Sequence, residues 1–123
     1  MVTIFGWNLF GKKRAQLVFD NNLVIPLYED TVVIGRAGTG IKINQMVEKI
    51  GNKIIVASSE MTARLSRTHA VLKWEKETSK YLFEDTSSYG SSVAGRLMHK
   101  GKILLANKDK INLQGLKFTI IYS

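Results

Sequence analysis

The chain has 123 residues, no cysteine and a formal net charge of +8. That length fits one domain with a core large enough to do without staples. The missing cysteines exclude a disulfide framework, a thiolate metal site and a cysteine nucleophile, and they are compatible with a reducing, cytoplasmic location. The positive balance favours anionic partners: phosphopeptides, nucleic acid or acidic headgroups. No apolar run approaches the ~20 residues that span a bilayer.

Residues 1–14 form an N-terminal arm or edge segment ahead of a domain at 15–123. Val2, Ile4, Phe5, Trp7, Leu9 and Phe10 precede Lys12, Lys13 and Arg14. A secretory signal carries its basic residues before the apolar stretch and a small-residue cleavage site after it, and this segment has neither. The segment reads as an edge strand or docked arm, with contact to a membrane surface as the alternative.

Leu17-Val18-Phe19, Leu23-Val24-Ile25 and Val32-Val33-Ile34 read as strands. Asn21-Asn22 predicts a hairpin between the first two, and Pro26 places the second at a sheet edge. A Gly-rich stretch follows, Gly35 to Gly40. Ile43, Met46, Val47 and Ile50 then repeat at helical spacing, with Gly51-Asn52 as a stop, which predicts a short helix over 43–50. Strand character returns at 53–57. Residues 58–68 read as polar loop, 69–74 and 81–85 as a strand pair, and 86–92 as a Ser-rich loop. Val93, 97–105, 111–113 and 118–122 complete the strands. Many short strands with regular turn signals predict an all-β, two-sheet antiparallel β-sandwich interrupted by one short helical insertion. The last strand ends almost at the C-terminus, as in a complete small protein or one trimmed at a domain edge.

Enzyme chemistry finds little support. Ser66 and His69 lack a nucleophile elbow and an orienting acid. Gly35 to Gly40 has P-loop spacing, but Ile41-Lys42-Ile43 replaces the Lys-Ser/Thr pair. The same loop could offer backbone N–H groups to an anion at the start of the expected helix. Two histidines without cysteine do not make a catalytic metal centre. No cofactor, metal or enzymatic activity is expected. Nucleic acid is disfavoured as a partner, because no nucleic-acid motif accompanies the charge.

Three clusters sit at strand–loop junctions: Gly35-Arg36, Ser66-Arg67-Thr68-His69, and Asp85 through Ser88-Tyr89-Gly90-Ser91. In a sandwich such junctions gather at one end. Arg36 and Arg67 supply planar forks that match phosphate oxygens, Ser66 and Ser88 supply short hydroxyl donors, and Gly35 and Gly90 permit tight turns or close approach.

In order and type, Gly35-Arg36, Ser66-x-x-His69, the Ser-Ser-x-Gly loop, Asp109-x-Ile111-x-Leu113 and the final strand at 118–122 resemble the forkhead-associated (FHA) domain across residues 17–122. The resemblance implies a signalling adaptor that binds a phosphothreonine-containing protein segment, the product of a Ser/Thr kinase. Carried over by position, it implies that Arg36 and Ser66 contact phosphate, that Arg67 adds a phosphate or peptide contact, and that Ser88 contacts the phosphate or the bound chain; Tyr89 is counted with these phosphopeptide-binding candidates. Gly35, His69 and Gly90 support the loops. Tyr89 and Ala94 stand where the family usually has asparagines, Ser91 where it has threonine, and Lys108 where it has glycine. A degenerate FHA domain that scaffolds or self-associates without phosphate is the alternative.

Overall fold

The structure, a computed structural model, describes residues 11–41, 43 and 45–123. The expectations for residues 1–10, an arm or a membrane contact, lie outside the described residues. Among the described residues twelve strands appear in chain order: β1 Ala15–Phe19, β2 Val24–Leu27, β3 Thr31–Arg36, β4 Val47–Ile50, β5 Lys53–Val56, β6 Ala70–Glu75, β7 Lys80–Asp85, β8 Ser92–Val93, β9 Arg96–Leu97, β10 Lys102–Leu104, β11 Lys110–Leu113 and β12 Leu116–Tyr122. They form two six-stranded sheets, ordered β2-β1-β12-β11-β8-β9 and β10-β7-β6-β3-β5-β4. The expected all-β sandwich is present.

Alternation builds it. β1 buries Ala15, Leu17 and Phe19 and turns Gln16 and Val18 outward. β7 buries Tyr81, Phe83 and Asp85. Period-two burial of this kind sets strand register, because a one-residue slip would expose the whole apolar set. The inner faces meet in one core that includes Leu17, Ile34, Leu72, Tyr81, Phe83, Ile111 and Phe118. Among the described residues no buried side-chain nitrogen or oxygen lacks a hydrogen-bond partner. The turn after Phe19 and the edge position of Pro26 follow the sequence, since β2 pairs only with β1.

Two expectations need correction. The predicted helix over 43–50 does not form. Val47–Ile50 is instead strand β4, paired antiparallel with β5. The intended stop, Gly51-Asn52, is the two-residue hairpin turn between them, with Gly51 at φ 62°. That first central position is where such a turn needs glycine. The apolar set does not share a face: Val47 is buried, while Met46 and Ile50 are exposed. Ladder bonds to β5 outweigh the marginal stability of a two-turn helix. The sandwich is also not wholly antiparallel, because β3 and β5 run parallel, with Arg36 opposite Val56.

The polar loop at 58–68 holds one apolar plug. Leu65 is buried in the core. Thr62 Oγ1 ties the loop down by donating to the Ala57 carbonyl (2.7 Å) and accepting from Ser59 N–H (2.9 Å). Leu65 therefore anchors the segment that delivers Ser66 and Arg67 to the end of the sandwich.

Candidate functional site

The ends of β3 and β7 and the entry to β6 converge at one end of the molecule. Ile34 accepts from His69 N–H (2.8 Å), and Arg36 N–H donates to the Ser66 carbonyl (3.0 Å). The chain at 66–69 thus lies directly over β3. Gly35 makes this crossing feasible, since a Cβ there would sit 1.8 Å from the Arg67 carbonyl oxygen. No side chain fits in that space.

Arg36 is half-buried, and its Nε–H donates to the Leu65 carbonyl (2.9 Å). That bond fixes the guanidinium and leaves its terminal Nη groups without a partner among the described residues. Ser66 Oγ accepts the Ser88 N–H (3.0 Å), so its own hydroxyl hydrogen stays available. This bond joins the second and third sequence clusters. Thr86 reinforces the join, its Oγ1 donating to the Thr68 carbonyl (2.7 Å) and its N–H to the His69 carbonyl (3.0 Å). Ser88 and Arg67 are exposed, and Arg67 Nη2 reaches Thr39 Oγ1 (3.4 Å).

His69 braces the two loops from within. Its Nδ1 accepts the Ser66 N–H (3.0 Å), which makes Nε2 the protonated nitrogen that donates to the Gly90 carbonyl (3.0 Å). The ring is neutral and both nitrogens are occupied. Burial pushes its pKa down, against the Gly90 hydrogen bond and the nearby Asp85 charge, which push it up.

Asp85 is a hub that sequence reasoning did not assign. Its carboxylate accepts from Ser87 N–H (3.0 Å), Ser87 Oγ–H (2.9 Å), Lys100 N–H (3.1 Å) and the Ser91 hydroxyl. Burial alone would raise its pKa, but the bonds from Ser91, Lys100 and Ser87 outweigh it and hold the carboxyl below its usual value. Ser87 Oγ in turn accepts the Gly90 N–H (2.7 Å). The Asp85-x-Ser87 spacing, a side chain bonding backbone two residues on, was the available sequence signal. Gln114 was also missed. Its Nε2 donates to the carbonyls of Tyr89 and Gly90, both at 3.0 Å.

Gly90 adopts φ 94°, a conformation L side chains rarely take. Tyr89 is 61% exposed. Its ring lies under the Arg64 guanidinium, 5.4 Å from the centroid. Arg36, Ser66, Ser88, His69 and Gly90 therefore share one bonded cluster crossing over Gly35, while Arg67 and Tyr89 stand at its exposed margins. The anion site imagined at a helix start after Gly40 has no helix to supply it.

No curated protein sequence matches. The chain is similar in structure to Mycobacterium tuberculosis EmbR in complex with a low-affinity phosphopeptide, at 23% identity, with 99% of this chain covered, 28% of the EmbR chain and a TM-score of 0.65. It therefore spans less than a third of that protein. It is also similar to the FHA domain of an Arabidopsis thaliana hypothetical protein (18% identity, 90% and 86% coverage, TM-score 0.65). The MEK1 FHA domain in complex with a HOP1 phosphothreonine peptide is a third such structure (19% identity, 91% and 99% coverage, TM-score 0.63). At the level of sequence the FHA domain family matches residues 32–114, and the chain belongs to that family.

Proposed function

We propose that this end of the sandwich is a non-enzymatic reader of phosphothreonine in a partner protein, a signalling adaptor surface. The observation that carries the reading is the pairing of Arg36 and Ser66. Arg36 is anchored through Nε on Leu65 with its terminal N–H groups unspent, and Ser66 is anchored by Ser88 N–H with its own proton unspent. Donors already held in place bind an anion without the cost of ordering them. Arg67 and Ser88 supply further donors from the loop margins, and Tyr89 borders the bound chain. The complexes of EmbR with a phosphopeptide and of MEK1 with a phosphothreonine peptide support the ligand class. The threonine preference comes from the family.

The test is a titration of wild type and Arg36→Ala against a degenerate phosphothreonine peptide library, with phosphoserine and unphosphorylated controls. Each charge-assisted hydrogen bond contributes roughly 1.5–3 kcal/mol, so losing one or more should weaken binding by at least about tenfold. The variant should remain folded, since it gives up only the Leu65 bond. Undiminished phosphopeptide affinity in Arg36→Ala would overturn the assignment.

Tyr89 favours a second reading, a scaffold or self-association surface independent of phosphate, because an exposed phenol ring occupies the usual asparagine position. A partner interaction that survives phosphatase treatment and Arg36→Ala would select it.

A further inference from the structure

Directly paired residues of neighbouring strands share a face of their sheet. In the sheet β10-β7-β6-β3-β5-β4, one such line runs from edge to edge: Lys102–Glu84–Val71–Val33–Lys53–Ile50. Their chain neighbours Phe83, Leu72, Val32 and Ile54 are buried in the core, so the line lies on the outer face. Val71 and Val33 are half-buried at its centre, Lys53 is exposed, and Ile50 is 52% exposed. Leu82 and Ile55, also half-buried, carry the apolar centre diagonally into the rows on either side. The line therefore reads acid, apolar, apolar, base across four adjacent strands. The comparable line on the outer face of the other sheet, Val24–Val18–Thr119–Lys110, has a base and no acid.

We propose that this outer face binds a second copy of the chain, sheet to sheet, about a two-fold axis that runs along the strands midway between β6 and β3. A two-fold interface must be complementary to itself. The axis falls at the middle of the six strands, so it sets β7 over β5 and β6 over β3 of the other copy. Glu84 then meets Lys53 of the second copy, and Val71 meets its Val33, each twice. An acid and a base placed evenly about an apolar centre is the charge pattern this axis demands, and charge of that kind fixes register. Glu84 keeps Lys73 beside it on its own sheet (3.3 Å), and Lys73 belongs to the next row, clear of the Lys53 approach. Five strand spacings of about 4.8 Å and five residue rises of about 3.4 Å give a footprint on the order of 400 Å². That is small beside the ~800 Å² each partner buries in a standard interface, so the association is weak and concentration-dependent. The rotation preserves strand direction and leaves both Arg36–Ser66 ends at the same end of the pair. On the phosphate reading, one pair would engage two phosphorylated sites of a partner at once.

Sedimentation equilibrium from about 10 μM to about 1 mM tests it, and the mass of the wild type should rise from 13.8 kDa towards twice that value. Glu84→Lys and Lys53→Glu each set like charges against one another and should stay monomeric over that range. Their equimolar mixture restores an acid–base contact at both positions and should associate as the wild type does. Backbone amide NMR shifts of the wild type should move on dilution in β6 and β3 and hold in β1 and β12, which needs no variant. Arg36→Ala should associate normally, so this result and the phosphate assignment stand or fall separately. A wild type still monomeric at about 1 mM overturns the proposal and leaves the face to a different protein. So do dilution shifts confined to the other sheet, single variants that associate undiminished, or a mixture of folded variants that remains monomeric.

Discussion

Gly35→Ala should be the most damaging single methyl in the molecule, and its cost follows from the crossing of residues 66–69 over β3. The added Cβ would meet the Arg67 oxygen at 1.8 Å and its carbonyl carbon at 2.4 Å. Ordinary close carbon–oxygen contacts begin near ~3.3 Å, so the two chains must part by about 1.5 Å. Both are backbone, and neither can swing aside as a flexible side chain would. Parting them stretches the bond from Arg36 N–H to Ser66 O (3.0 Å), that from His69 N–H to Ile34 O (2.8 Å), and the Arg36 Nε bond to Leu65 O (2.9 Å). Three bonds at roughly 1 kcal/mol each give a loss of about 3 kcal/mol. For a domain of this length, with an unfolding entropy of about 2.1 cal/mol/K per residue, that lowers the Tm by about 12 °C. Thermal and urea melts of wild type and Gly35→Ala measure it. A fall smaller than about 3 °C would show that the crossing relaxes freely and that Gly35 is not what permits it.

Two further outcomes follow from the same loops. Ala94 and Gly95 form the two-residue turn between β8 and β9 with φ 50° and 82°; alanine is a poor choice at the first position, so Ala94→Asn should raise the Tm by about 2–4 °C, and an unchanged or lower Tm would refute the strain. His69 has a folded pKa depressed by burial, so below about pH 6.5 the unfolded chain binds the proton more readily and stability falls with pH through the folded pKa. The contribution is fully present above that pH. Melts across the window should show the decline, and imidazole titration by NMR should place the folded pKa below the unfolded one; a pH-independent Tm from about pH 7.5 to about pH 5 would contradict a neutral, doubly bonded ring.

Much of the sandwich was legible because its strands alternate. Leu17, Ile25 and Ile34 each announce an inward face, and Asn21-Asn22 and Pro26 mark a turn and an edge. What misled was the weakest segment. Ile43, Met46, Val47 and Ile50 fit a helical period, yet Gly51-Asn52 fits a hairpin equally well, and only the long-range pairing of β4 with β5, and of β5 with β3, decides between them. Local periodicity carries no information about partners distant in sequence. Within the candidate site, the three clusters could be seen to belong at one end, but not how they are bonded. Asp85 read as the last residue of a strand. Its five hydrogen-bonded contacts come from Ser87, Ser91 and Lys100, and those appear only once the loop closes on it.

That closure bears on why the polar loops can hold a fixed shape at all. Loop backbone is expensive to order, at roughly 1–2 kcal/mol per residue, and a phosphate grip made of free loops would lose much of its affinity to that term. Here the ordering is done in the interior. Asp85 gathers Ser87, Ser91 and Lys100 from below, and His69 ties Ser66 N–H to the Gly90 carbonyl, so the buried face of each loop is bonded to the sheet while the outer face carries Arg36 Nη, Ser66 Oγ–H and the Arg67 fork. Buried carboxylate and imidazole are costly alone; each is retained with its partners satisfied, 3.9 Å apart and linked through Ser87 and Gly90. The polar core beneath the loops and the unspent donors above them are therefore two sides of one arrangement, and disturbing the lower one through His69 protonation should loosen the upper one even though that ring is fully buried.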